Sequence, residues 1–240
     1  MRTKEFLSSH NIPFVSVDVQ ADPNGLKELR ALGARSVPVV SRGKEYVFGQ
    51  MLKDVAKFLG VAYDTKPKLS PQQLIDKIDM VMNAAQRFIA QIPEEQLDRN
   101  MRNRDRPIRN LCYHIFRLEE AFMEVVEDNV YLTRDLLNPP PPPEIRTTKD
   151  LVDYGKRTQQ RLHAWWDKFE DKDCEGEVDS YYGRQPLHNV LERHAWHPAQ
   201  HTRQLMLLLE DNGIKPDRPL TDKDFEGLPI PKKAWDDEAA

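Results

Sequence analysis

The stretch RHAWHPAQHTRQL, Arg193 to Leu205, holds three of the chain's seven histidines within eight positions. Histidine is a middling helix former, so its crowding on one predicted helix needs a reason. At helical spacing the stretch continues an apolar stripe that includes Leu187, Val190, Leu191, Leu205 and Leu208, and His194, His197 and His201 fall on it. Burying an imidazole without a partner costs roughly 1–3 kcal/mol. A core that collects several is therefore either a hydrogen-bond network or a metal site, and the spacing favours metal. His197 and His201 are one helical turn apart and can converge on one ion. His194 and His201 are separated by about 10.5 Å along the axis at 1.5 Å per residue, too far to share an ion held at about 2 Å. A third ligand is expected from another helix, and His114, one turn from both Leu111 and Leu118, is placed to provide it.

Working outward, the helix carrying this stretch is expected from about Pro186 to Asn212, closed by Gly213. Three more amphipathic helices precede it. Ser70-Pro71-Gln72-Gln73 reads as an N-cap, a Pro at the first helical position and a capping-box Gln, followed by the stripe Leu74, Ile78, Met82, Ala85 and Ile89. A second helix runs from about Pro107 to Asp128 and a third from about Thr148 to Asp171. Four such helices predict a four-helix bundle. Between the second and third lies NPPPPPEIR, with five consecutive prolines, Pro139 to Pro143. Each helix is about 33 Å long, and about ten residues of proline-rich chain at about 3.1 Å each cover that distance. The linker is therefore expected to be a crossover that leaves helices two and three parallel.

Ahead of the bundle, residues 12–60 read as a small α/β unit. PFVSVDV (13–19) alternates like a strand, GLKELRALG is a short helix closed by Gly33, and SVPVV and EYVFG pair around SRGK. MLKDVAKFLG is a second helix ending at Gly60. The predicted organisation is a multidomain chain: an α/β unit over 1–62, a linker over 63–69, an all-α bundle over 70–213 and a Pro- and charge-rich tail over 214–240.

The chain of 240 residues is 39% hydrophobic and 31% charged, with a formal charge of -4. That balance suits a globular protein and gives no global reason to expect nucleic acid or an anionic membrane as partner. There is no apolar run of about 18 residues and no secretory core near the start. Cys112 and Cys174 alone suggest free thiols and a reducing, cytoplasmic setting.

The segments HPAQHTRQL and LCYHIFRLEEAF resemble the DinB-like superfamily of metal-dependent enzymes over about residues 70 to 212. The resemblance implies a four-helix bundle with a long crossover between helices two and three. It implies metal ligands His114, His197 and His201, with Gln204 in the family's supporting glutamine position and His194 behind the ligands or lining the cavity. The ion would be divalent, zinc first, with nickel or iron(II) as alternatives. Pro198 departs from the pattern and predicts a kink at the site.

KEFLSSHNIPFVSVDVQADP, followed by LGARSVPVV, resembles a glutaredoxin or thioredoxin-like domain entered after its beginning. By that resemblance Ser36, Val37 and Pro38 form the cis-proline loop that binds glutathione's peptide part, while the family's first strand and CxxC should precede Arg2. Without that cysteine, thiol–disulfide exchange cannot run as written. Either the reading frame starts late or the domain is a degenerate binding or docking module.

Together the resemblances imply an enzyme using a low-molecular-weight thiol such as glutathione, as a thiol transferase or thiol-assisted isomerase, on a small-molecule substrate. A metal lowers the pKa of a coordinated thiol from about 8.5 and makes it nucleophilic at neutral pH. Alternatives are a metal-hydroxide hydrolase, a non-catalytic metal-binding or stress-response module closed by a fourth ligand such as His194 or a glutamate, and a thiol–disulfide oxidoreductase if upstream codons carry CxxC. A homodimer is compatible with all of these. RNMRNRDRPIR (99–109) offers Arg104, Arg106 and Arg109 as anion-binding groups, set against a solvated mixed-charge loop. Cys112 and the tryptophans Trp165, Trp166 and Trp196 read as core, and nothing in the spacing selects a general base among Glu119, Glu120 and Glu192.

Overall fold

The computed structural model describes residues 2–19, 22, 24–101 and 105–235. The chain divides into two compact units, Met1–Pro67 with Pro231–Ala240, and Lys68–Ile230.

The first unit holds helices α1 (Arg2–Ser9), α2 (Gly25–Ala31) and α3 (Leu52–Leu59) and the strands β1 (Val39–Arg42) and β2 (Glu45–Phe48). Helix α1 was not foreseen in the sequence; its Phe6 and Leu7 pack with Val55 and Ala56 of α3 in a small core. The strands form an antiparallel hairpin in which Arg42 faces Glu45, so Gly43 and Lys44 make a two-residue turn. Gly43 has φ +63°, the left-handed conformation such turns require. The expected strand over 13–19 does not form. These residues are mostly exposed, and none belongs to a sheet. Their valine alternation supplies β-propensity, but a strand also needs a neighbour for its backbone hydrogen bonds, and among the described residues there is none.

The second unit is the bundle, α4 (Pro71–Ile89), α5 (Ile108–Glu127), α7 (Thr148–Lys168) and α8 (Leu187–Asp211), with a single short turn of helix, α6 (Arg134–Leu137), between α5 and α7. The capping box at Ser70 is present: its hydroxyl accepts from Gln73 N at 3.3 Å while Gln73 Oε1 accepts from Ser70 N at 2.8 Å. A second one, Thr147 with Asp150, starts α7.

Helices α5 and α7 run parallel, because their contacts advance together. Tyr113 stacks on Tyr154 at 5.1 Å, Phe122 meets Trp165 at 5.3 Å, and Arg161 donates to Glu127 at 2.8 Å. They approach closely at Gly155, where a Cβ would stand 2.5 Å from the Phe116 ring, so only glycine fits. The crossover that permits this order buries Leu132, Leu137 and Ile145.

Helix α4 is antiparallel to α7, through Trp166 Nε1 to Gln72 at 2.7 Å and Gln159 to Asp79 at 2.6 Å. The segment between α7 and α8 carries a small antiparallel ladder, β3 (Glu177–Val178) with β4 (Gln185–Pro186). The stretch 214–230, expected as a tail, instead follows α4. Asp217 N donates to Gln91, Lys77 Nζ donates to Asp224 O at 2.6 Å, and Leu220, Phe225 and Leu228 are buried. No helix is long and apolar enough to cross a membrane among the described residues.

Candidate metal centre

Pro198 lies inside α8 without interrupting it: the helix is continuous from Leu187 to Asp211. The His197 and His201 side chains still converge across the turn that holds Pro198. Their rings stand 4.8 Å apart, and the two Nε2 atoms face each other at 3.1 Å. Two nitrogens held at about 2.05 Å in a tetrahedral shell stand about 3.3 Å apart, close to that separation. Because α5 and α8 are antiparallel neighbours, His114 reaches the same point, with ring centroids 5.5 Å from His197 and 5.1 Å from His201. One ligand atom from each of the three lies within 4.8 Å of the others.

The electrostatics keep these rings in a ligating state. Burial holds His114 and His197 well below the usual histidine pKa, and the neighbouring His201 pushes in the same direction. Both are therefore neutral at pH 7, with a lone pair to give. His201 Nδ1 pairs with Gln204 Oε1 at 2.8 Å, which places the proton on Nδ1 and leaves Nε2 as the acceptor. On the other side, the backbone of Leu137 in the crossover acts on the His114 ring, raising its pKa against the larger effect of burial. His114 is buried while His197 and His201 are partly accessible, so the group opens toward one side of the bundle.

The remaining expected site residues are dispersed. His194 is buried against Phe122, ring centroids 5.0 Å apart, and neither ring nitrogen has a hydrogen-bond partner. It stands outside the three-histidine group, and burial lowers its pKa to about 3.

Arg106 lies close enough to depress the His114 pKa. Arg109 is committed elsewhere, to Asp98 at 2.8 Å and to the Arg146 carbonyl. Arg104 lies outside the described residues. Cys112 is fully buried and its thiol is pushed up to about 12, which suits a small core residue.

Of the acids, Glu120 is held by Arg117 at 2.8 Å and by the Tyr154 hydroxyl at 2.6 Å. Glu119 is fully buried without a hydrogen bond, and burial alone raises its pKa well above the carboxylate range. No carboxylate joins the three histidines among the described residues. In the first unit Ser36 is buried, the Val37–Pro38 peptide bond is cis, and Gln50 Nε2 donates to Val37 O at 3.3 Å.

Two residues near the centre were not picked out as functional from the sequence. Trp196, expected in the core, is only partly buried, with its ring 5.4 Å from that of His197. Arg193 lies one turn before His197, and its guanidinium sits over the rings of Tyr182 and Trp196, at 5.6 and 5.8 Å. The four-residue spacing Arg193, His197, His201 is the signal that could have found it.

Comparison with known proteins assigns each unit a likeness. No functionally curated protein matches the chain. The glutaredoxin family model matches residues 1–47. Among solved structures, a DinB-like protein from Bacillus cereus superposes with a TM-score of 0.51 at 14% identity, over 62% of this chain and 97% of that one. The N-terminal part thus carries a glutaredoxin likeness, and the helical body has the fold of a DinB-like protein.

Proposed function

We propose that the bundle is a metal-dependent enzyme in which His114, His197 and His201 hold a divalent ion, zinc first, beside an open position that takes a low-molecular-weight thiol. The observation that carries the metal reading is the convergence of three imidazoles from two helices, with Gln204 fixing the proton on the far nitrogen of His201. The donor set suits zinc, which accepts three histidines in catalytic sites. His194 packs away from the group and no carboxylate closes it among the described residues, which favours an open position over a structural one.

When bound, the ion supplies the Lewis acidity that favours a thiolate at neutral pH. The chain's own contribution is to keep His114 and His197 deprotonated by burial, to orient His201 through Gln204, and to leave a side open. The glutaredoxin likeness of the first part supports a thiol, glutathione being the nearest candidate for the Ser36-Val37-Pro38 loop. The reaction class that follows is thiol transfer or thiol-assisted isomerisation on a small molecule.

Elemental analysis of the purified full chain tests the metal. About one equivalent of ion is expected in the wild type and little in His201→Ala or His114→Ala, with helical content unchanged by circular dichroism. Equal metal in wild type and both variants would overturn the site. Turnover independent of added thiol would replace thiol chemistry with hydrolysis.

A further inference from the structure

Arg193 is the cation that the three-histidine group does not use. It shares one stripe of α8 with His197 and His201, about 6 Å before His197 at 1.5 Å rise per residue. Its guanidinium is held by two aromatic faces, Tyr182 and Trp196, and Trp196 in turn lies 5.4 Å from His197. Among the described residues no carboxylate and no carbonyl accepts from it. Stacking occupies the face of a guanidinium and leaves the N–H edge, its directional donor fork, available. Tyr182, beneath it, is buried with a hydroxyl that makes no hydrogen bond of its own. The Arg193 charge also reaches the histidines, since it depresses the pKa of His114, His194 and His197. An organised donor edge, fixed one turn from a ligand set that has no acid beside it, is a place for an anion.

We propose that Arg193, backed by Tyr182 and Trp196, is the subsite that binds the carboxylate of a small thiol whose sulfur occupies the open position at His114, His197 and His201. The ligand class is a small thiol that also carries a carboxylate. This rests on the metal reading above and adds to it the charge selectivity of the site. Arg106 also lowers the His114 pKa and adds to the same positive field.

The test uses the full chain loaded with cobalt(II), whose thiolate charge-transfer band reports sulfur binding directly. Two probes with the same thiol function are titrated, 3-mercaptopropionate and uncharged 2-mercaptoethanol. The wild type is expected to bind the carboxylate-bearing probe about tenfold or more tightly, the scale of a charge-assisted hydrogen bond. Arg193→Gln is expected to abolish that preference, with cobalt affinity and 2-mercaptoethanol binding unchanged, and Arg193→Lys to restore part of it. Equal affinity for the two probes in the wild type, or a preference that survives Arg193→Gln, overturns the subsite. Absence of a cobalt spectrum in the wild type overturns the metal reading instead, so the two failures are distinct.

Discussion

The N-terminal segment Pro13–Val19 and helix α8 both carry a regular apolar pattern, yet only α8 forms the element its pattern predicts. A helix satisfies its own backbone, N–H to C=O four residues back, so an amphipathic stripe needs only something apolar to cover it. A strand's hydrogen bonds belong to its neighbour. Phe14, Val15 and Val17 remain 41%, 89% and 42% exposed because no neighbour is present among the described residues. Alternation encodes a strand's faces but not its partner, whereas 3.6-residue periodicity encodes almost everything a helix requires.

Hydrogen exchange is the largest test of that contrast. Amides of Val15, Ser16 and Val17 should exchange near the unprotected rate, and those of Ile115 to Met123 in α5 at least about a thousandfold more slowly. Strong protection at Val15–Val17 would mean the segment has a partner and would end the comparison.

The next test concerns how tightly the bundle is built. Phe122 is fully buried between Trp165 and His194, and Phe122→Ala should cost about 3–5 kcal/mol in chemical denaturation. A cost below about 1 kcal/mol would show a loosely filled bundle core.

The smallest effect is one of slope. His194 has a folded pKa of about 3 against an ordinary value near 6.5, so between those values the unfolded chain binds the extra proton. Above about pH 6.5 folding therefore takes no proton from this ring, and stability falls by about 1.4 kcal/mol per unit as pH drops below that. His194→Leu should flatten this dependence by about one proton and, because it removes two buried ring nitrogens without partners, should not lower stability at pH 7. An unaltered slope would place the proton uptake elsewhere.

Much of the bundle was legible. Stripes, caps at Ser70, and the proline count between α5 and α7 foretold four helices and a parallel middle pair, and the structure shows both. The three histidines could be grouped because helical spacing places side chains on faces and a bundle brings faces together. What escaped were features that depend on neighbours in space. Arg109 looked like an anion-binding group, but Asp98 and the Arg146 carbonyl claim it. Arg193 drew no reading from the sequence beyond its helical spacing, and its two aromatic supports are visible only in the structure. The path of residues 214–230 along α4 was equally hidden, since it depends on carbonyls of an irregular segment meeting Lys77 and Arg87.

The crossover has a consequence for how this chain tolerates change. Arg117 Nε donates to the Leu136 carbonyl at 3.0 Å, with Glu120 and Glu124 gripping the same guanidinium, and the backbone of the next residue, Leu137, acts on the His114 ring and raises its pKa. Connections between helices are ordinarily where a protein absorbs insertions and deletions at little expense. Here the join is anchored at Arg117 and lies beside the three-histidine group, so one residue more or fewer between Asp128 and Leu137 would reach the His114 imidazole as well as the surface.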